Sequence, residues 1–197
     1  MEFRRTANAG VLLTLDDAKI LLDGVCRGIE SYPATPPEIK QELISCPPDA
    51  VLFTHEHPDH YDPDYAEKVD SGKMAVEKVK ITPVPTRHMG HYGKTTKHQS
   101  FVIEGSQILW FLGDASPMEL KKFASFPKPD VLMIPYPYIS TPVARKVVES
   151  LLPCKIVLLH MPIPENDPEE IWQSVPEGVE HLKAYLYVPK LGETMNI

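Results

Sequence analysis

Val51-Leu52-Phe53-Thr54-His55-Glu56-His57-Pro58-Asp59-His60 is the stretch on which the reading of the fold turns. Val51 to Phe53 form an apolar run that reads as a short buried strand. Directly behind it, three imidazoles and the Asp59 carboxylate crowd into six consecutive residues. A strand that ends in such a cluster delivers ligands to a pocket. With an extended backbone past Thr54, His55 and His57 point to one side, so two neutral nitrogens converge on one ion. A turn at Pro58 then swings Asp59 and His60 to a second place a few ångströms away. The bland alternative, a polar loop that happens to be rich in histidine, leaves three imidazoles side by side with nothing to satisfy them.

The segment resembles the His-x-His-x-Asp-His signature of the metallo-beta-lactamase fold superfamily, and features downstream match in order. The family pattern continues with a His after a strand, a Gly-Asp ending a second-half strand, and a His ending a late strand. Here these resemble His88 in Pro85-Thr86-Arg87-His88, Asp114 in Phe111-Leu112-Gly113-Asp114, and His160 in Val157-Leu158-Leu159-His160. An early Asp after an apolar run, Asp23 in Ile20-Leu21-Leu22-Asp23, matches as well. The resemblance covers nearly the whole chain. It implies an α/β fold, a four-layer αββα sandwich, in a single domain over residues 1–197 with a metal site at the seam between halves.

By the same resemblance, His55, His57 and His88 hold one ion, while Asp59, His60 and His160 hold another, with Asp114 between them. Imidazole and carboxylate without thiolate suit zinc, and manganese or iron fits the same donors. Asp23 is implied as the acceptor that orients metal-bound imidazoles; as residues alone it reads equally as a turn. Among the histidines after His60, His88 best fits a ligand coming directly off a strand, with His98 and then His91 as alternatives. The histidines not used are expected at the surface first, with substrate contact as the alternative.

Composition sets the bounds. A chain of 197 residues with 43% hydrophobic content can bury a full core. A formal net charge of -7 argues against a nucleic-acid surface. Three cysteines, Cys26, Cys46 and Cys154, with no Cys-x-x-Cys pair, point to neither a disulfide framework nor a thiolate zinc site and fit a reducing cytoplasm. No charged N-terminus runs into a long apolar segment, and no apolar run approaches the roughly 18 residues of a membrane span.

The 21 prolines are informative by position. Thr35-Pro36, Asp62-Pro63, Ser116-Pro117, Thr141-Pro142 and Asp167-Pro168 each place proline behind a capping residue and so mark helix starts. Thr35 with Glu38, and Ser116 with Glu119, have the capping-box spacing. Residues 9–15 and 18–23 read as a hairpin around Asp16-Asp17. Helices are predicted over 36–45, 63–69, 142–152 and 167–175, and strands over 78–85, 101–104, 108–113, 131–134, 156–159 and 184–188. His88 follows His60 by only 28 positions, which leaves no room for a large substrate-binding insertion. Tyr136 and Tyr138, just past a strand end, are candidate substrate contacts.

The chemistry expected of such a site is hydrolysis. Two divalent ions with Asp59, Asp114 and a bridging hydroxide leave a charge of about +1 in an acidic protein, which attracts anionic or carbonyl substrates. Metal-bound water has its pKa lowered toward ~7, so hydroxide is available to attack a small phosphodiester, lactone or thioester. Asp114 as the bridge and Asp59 as the group orienting the nucleophile are the catalytic carboxylates of this reading. The partner is then a small molecule, with neither nucleic acid nor membrane. A mononuclear iron sulfur dioxygenase and a non-catalytic, metal-stabilised binding protein are the alternatives. Flavin-linked di-iron relatives usually carry Glu at the position of His57.

Overall fold

In the computed structural model, which describes residues 1–69, 72, 75–152, 154–168, 170–177 and 179–197, the chain opens with a meander of antiparallel strands. These are β1 (Glu2–Arg5), β2 (Val11–Leu15) and β3 (Ala18–Leu22). Asp16 and Asp17 join β2 to β3 with φ of 51° and 70°. Two left-handed residues make the hairpin turn whose twist matches the strands, and Asp tolerates that backbone better than most residues. The chain leaves through α1 (Pro37–Ser45) and returns as β4 (Ala50–Leu52), parallel to β3. After the histidine-rich loop come α2 (Pro63–Ala66), β5 (Ala75–Val76), β6 (Val79–Arg87), β7 (Lys97–Glu104) and β8 (Ile108–Phe111). Then follow β9 (Val131–Pro135), α3 (Pro137–Ser140), α4 (Pro142–Glu149), β10 (Lys155–Leu159), α5 (Ile171–Glu177), β11 (Leu186–Tyr187) and β12 (Thr194–Asn196).

The strands assemble into a five-stranded sheet, β12-β1-β2-β3-β4, and a seven-stranded sheet, β11-β10-β9-β8-β7-β6-β5. Phe3, Leu13, Ile20, Phe101, Phe111 and Met133 fill the space between the sheets. Leu21, Val51 and Tyr65 pack the outer face of the first sheet with Leu43 of α1. Leu132, Ile134, Tyr138 and Val148 pack the outer face of the second sheet with α3 and α4. The β9 run explains why: Val131 and Met133 face the other sheet while Leu132 and Ile134 face the helices, so a strand buried on both faces reads as continuously apolar. The result is the four-layer αββα sandwich.

Several local expectations are corrected. Thr35 does not cap α1; its hydroxyl instead accepts the Cys26 amide at 3.0 Å, and the helix starts behind Pro36 without a side-chain cap. Ser116 gives its following 3-10 turn no side-chain cap either, and Glu119 pairs with Lys122 at 2.6 Å. Asp62 does cap α2, accepting the Tyr65 amide at 3.2 Å, but that helix ends at Ala66. The last helix begins at Ile171 rather than Asp167, whose carboxylate accepts the Trp172 amide at 2.8 Å. The terminal strands β1 and β12 were not foreseen, and β6 and β7 pair over a longer stretch than expected, from Lys80↔Glu104 to Arg87↔Lys97. Among the described residues, no helix is long and apolar enough to cross a membrane.

Candidate metal centre

Strand ends build the site. Asp23 follows β3 with φ of 46°, held by its amide to Leu52 O at 3.0 Å across to β4. Its carboxylate is fully buried. Oδ1 accepts the Thr54 amide at 2.7 Å, and Oδ2 accepts the Thr54 hydroxyl at 2.6 Å and His60 Nδ1 at 2.8 Å. Asp23 is therefore both the turn residue and the acceptor that fixes an imidazole. The His57 carbonyl accepts the His60 and Tyr61 amides, each at 2.9 Å, which closes the turn around Pro58.

These contacts fix tautomers. A carboxylate only accepts, so His60 keeps a proton on Nδ1, and Nε2 becomes a bare lone pair once a cation replaces the second proton that Asp114 favours. Thr54 spends its hydroxyl hydrogen on Asp23, so at 2.9 Å it accepts from His55 Nδ1, and His55 Nε2 is bare too. His88 donates Nδ1–H to Met89 O at 2.7 Å, with the same outcome. His57 Nε2 lies 3.1 Å from Thr96 Oγ1, which leaves its Nδ1 for a ligand.

The second half supplies the rest. Gly113 has φ of 53°, and a Cβ there would sit 2.6 Å from Thr54 Cγ2, so glycine alone brings the turn against the first-half loop. Asp114 then projects into the cluster. Its Oδ2 lies 3.5 Å from His60 Nε2, 3.4 Å from His88 Nε2 and 3.6 Å from His160 Nε2. The end of β6 is tied to this loop by Met89 N to Asp114 O and Ser116 N to Arg87 O, both 2.8 Å. His160 ends β10 with φ of 58°, and its Nε2 is 3.1 Å from Asp59 Oδ2.

All seven residues expected from the sequence are brought together. Ligand atoms within 4.8 Å of one another form three overlapping groups: His55, His57 and His88; His55, His60 and Asp114; Asp59, His60 and His160. Asp114 stands between the first group and the last. Among the described residues, the Nε2 atoms of His55, His60, His88 and His160 are buried and form no well-aligned hydrogen bond; the Asp114 and Asp59 carboxylates are the acceptors that face the last three. Electrostatics point the same way. Burial opposes charge on both His60 and Asp114, yet Asp114 pushes His60 well above its ordinary value, and His160 and His60 hold Asp114 well below the usual carboxylate range. His88 is raised against its burial by Asp114, whereas burial drives His55 down. Imidazole nitrogens aimed at two buried carboxylates call for positive charge at the centre, and divalent cations meet that demand. The donor set fits a metal site.

Some neighbours differ from expectation. His91 is exposed, as expected of an unused histidine. His98 is not: it is buried to 7% exposure, 5.1 Å from the His55 ring and 5.7 Å from the His88 ring, and burial pushes it down to about 3. Strand alternation held the missed signal, because Thr86 on β6 pairs with His98 on β7, with Ser100 two residues on, and His88 follows Thr86 by two just past the strand end. Tyr138 is a core residue, with its hydroxyl donating to Ala115 O at 2.8 Å, so it is no substrate contact. Tyr136 is half-buried and hydrogen-bonded to Tyr32, a residue the sequence did not single out. The Tyr32 ring stands edge-on to His160 at 4.4 Å. On the opposite flank, half-exposed Tyr92 lies 5.0 Å from the His57 ring. A cleft of about 870 Å³ runs beside this cluster, lined by Phe53, His55, His57, Thr96, Lys97 and His98 among others.

Residues 6–159 match the beta-lactamase superfamily domain. No curated protein sequence matches the chain. Among solved structures, a possible metal-dependent hydrolase from Veillonella parvula is 16% identical with a TM-score of 0.77, covering 100% of this chain and 99% of that one. An isothiocyanate hydrolase from Delia radicum gut bacteria is 17% identical with a TM-score of 0.73 and the same coverage, 100% and 99%. A diiron beta-hydroxylase from Streptomyces venezuelae is 15% identical with a TM-score of 0.66, covering 100% of this chain and 54% of that one. At these identities the likeness is one of fold.

Proposed function

Because the chain belongs to the beta-lactamase superfamily, we propose that it is a metal-dependent hydrolase holding two divalent ions, with zinc the expected metal. The observation that carries this reading is the set of buried Nε2 atoms of His60, His88 and His160 gathered within 3.6 Å of the Asp114 carboxylate, with His55 in the same ligand group. His55, His57 through Nδ1, and His88 would hold one ion, and Asp59, His60 and His160 the other, with Asp114 within reach of both. When bound, the ions bring the pKa of a water toward ~7 and stabilise the charge that develops on a substrate oxygen.

The chain's own residues do the rest. Asp23 locks His55, through Thr54, and His60 in the tautomers that leave Nε2 free. Asp59 orients the nucleophile by accepting its hydrogen bond, and Asp114 keeps the two halves of the site at fixed separation. Tyr32, edge-on to His160, and its hydrogen-bonded neighbour Tyr136 are the candidate contacts for the substrate's polar group on the His160 side. The cleft beside His55 and His57 falls in the range of ~300–1,000 Å³ usual for small-molecule sites. The substrate class is a small phosphodiester, lactone or thioester, and the net charge of -7 disfavours nucleic acid.

The test is elemental analysis of the purified chain, then a panel of phosphodiesters, lactones, thioesters and isothiocyanates with zinc and with manganese. Two zinc ions per chain and metal-dependent hydrolysis of a panel member support the reading. The diiron neighbour gives a second reading its footing, an iron-dependent oxidation on the same donors. Retained iron together with oxygen consumption would favour that one, and a loaded protein that turns over nothing would favour a binding role.

A further inference from the structure

Among the described residues, five histidine nitrogens lie buried without a well-aligned hydrogen bond, and four belong to residues already assigned to the ions. The fifth is His98 Nε2. Its state is set by a relay of the same kind that serves His55. Ser100 donates its hydroxyl hydrogen to Leu112 O at 2.8 Å and so accepts from Thr86 at 3.1 Å. Thr86, its hydrogen committed, accepts from His98 Nδ1 at 2.7 Å. The proton therefore sits on Nδ1, and Nε2 is an acceptor with nothing to accept.

His98 pairs directly across β6 and β7 with Thr86, two residues before His88, which puts it on the same face as His88. It lies 5.1 Å from the His55 ring and lines the cleft. It belongs to none of the three groups whose ligand atoms come within 4.8 Å of one another, so it is not placed to bind an ion with them. A residue needed only for volume could be apolar here. A relay through Thr86 and Ser100 that ends on a bare nitrogen prepares that nitrogen for a donor.

We propose that His98 is a positioning residue whose Nε2 accepts a hydrogen bond from an O–H or N–H group entering beside His55, His57 and His88. The group is either a water resident at that ion or a polar hydrogen of the bound substrate or product. The inference rests on the metal-site reading above.

The test is nitrogen NMR of histidine-labelled protein loaded with cadmium-113, with and without inorganic phosphate as an O–H-bearing anion. Scalar coupling to cadmium at His55, His57, His60, His88 and His160 checks the metal site by itself; no coupling anywhere sinks that reading and this one with it. With the site confirmed, His98 shows no coupling and remains the Nδ1–H tautomer. Its Nε2 resonance moves toward the hydrogen-bonded range on metal loading alone if water is the donor, or only with phosphate if the donor arrives on the ligand. An Nε2 resonance unmoved in every state, or one coupled to cadmium, overturns the proposal. His98→Phe, which keeps ring volume without the acceptor, should retain both ions and lose at least about tenfold in kcat/KM on any substrate the panel identifies. Full activity of that variant would also overturn it.

Discussion

Asp23→Asn changes one buried oxygen to an amide nitrogen, and its effect should reach both ions although Asp23 touches neither. In the wild type, Oδ1 accepts the Thr54 amide and Oδ2 accepts both the Thr54 hydroxyl and His60 Nδ1. The asparagine oxygen can keep the Thr54 amide at 2.7 Å, which puts the new NH2 where Oδ2 was. That NH2 carries two hydrogens and no lone pair for a donor to use. His60 must then accept at Nδ1 and move its proton to Nε2. Thr54 must accept from the amide and turn its hydrogen to His55 Nδ1, which sends that proton to Nε2 as well.

Two nitrogens that faced the ions as lone pairs thus become N–H groups, one in each triad. Loss of an outer hydrogen-bond partner ordinarily reduces metal affinity about 10- to 100-fold, or roughly 1.4 to 2.7 kcal/mol for each ion. Folding should suffer less than in Asp23→Ala, which strands three buried donors at about 1–3 kcal/mol each. Chelator competition measures the affinity of each site, and nitrogen NMR of the apo protein reads the tautomers. The reasoning is refuted if Asp23→Asn binds both ions as tightly as the wild type, or if His55 and His60 keep their protons on Nδ1.

Asp114→Ala should abolish metal-dependent turnover, by about a thousandfold or more given the usual weight of electrostatic stabilisation; unchanged activity at full metal loading would end its bridging role. Gly113→Ala forces a left-handed alanine whose Cβ lies 2.6 Å from Thr54 Cγ2, and urea unfolding should show a loss of about 1–3 kcal/mol. Metal binding should strengthen as pH rises. In the apo protein Asp114 raises His60 and His88 against their burial, so protons compete with the ions below those raised values and are released on loading. Chelator competition and proton-release calorimetry between about pH 6 and 8 check this, and a pH-independent affinity would contradict it.

The residues legible from sequence share a local signature. His55, Asp114 and His160 each end an apolar run, and a strand leaving the core has nowhere to put such a residue except the strand-end face where the two sheets meet. Asp62 was legible as a cap, and its Oδ1 does accept the Tyr65 amide while Oδ2 pairs with Lys40. Thr35 looks identical in sequence, yet its hydroxyl is taken by the Cys26 amide, nine residues back in the chain, and no local pattern encodes that choice. β1 was missed because Glu2, Arg4 and Arg5 make Phe3 look stranded among charges; pairing with β2 and β12 supplies the reason for its extended form. His98 was lost for a related reason. Thr95-Thr96-Lys97 reads as polar loop, and only the long β6 partner draws Lys97 and His98 into a strand. Once that register is known, alternation alone turns His98 inward beside His88. The hidden part of the site thus depends on pairing between segments, which is a tertiary fact, while the visible part depends on where strands stop, which the hydrophobic pattern records.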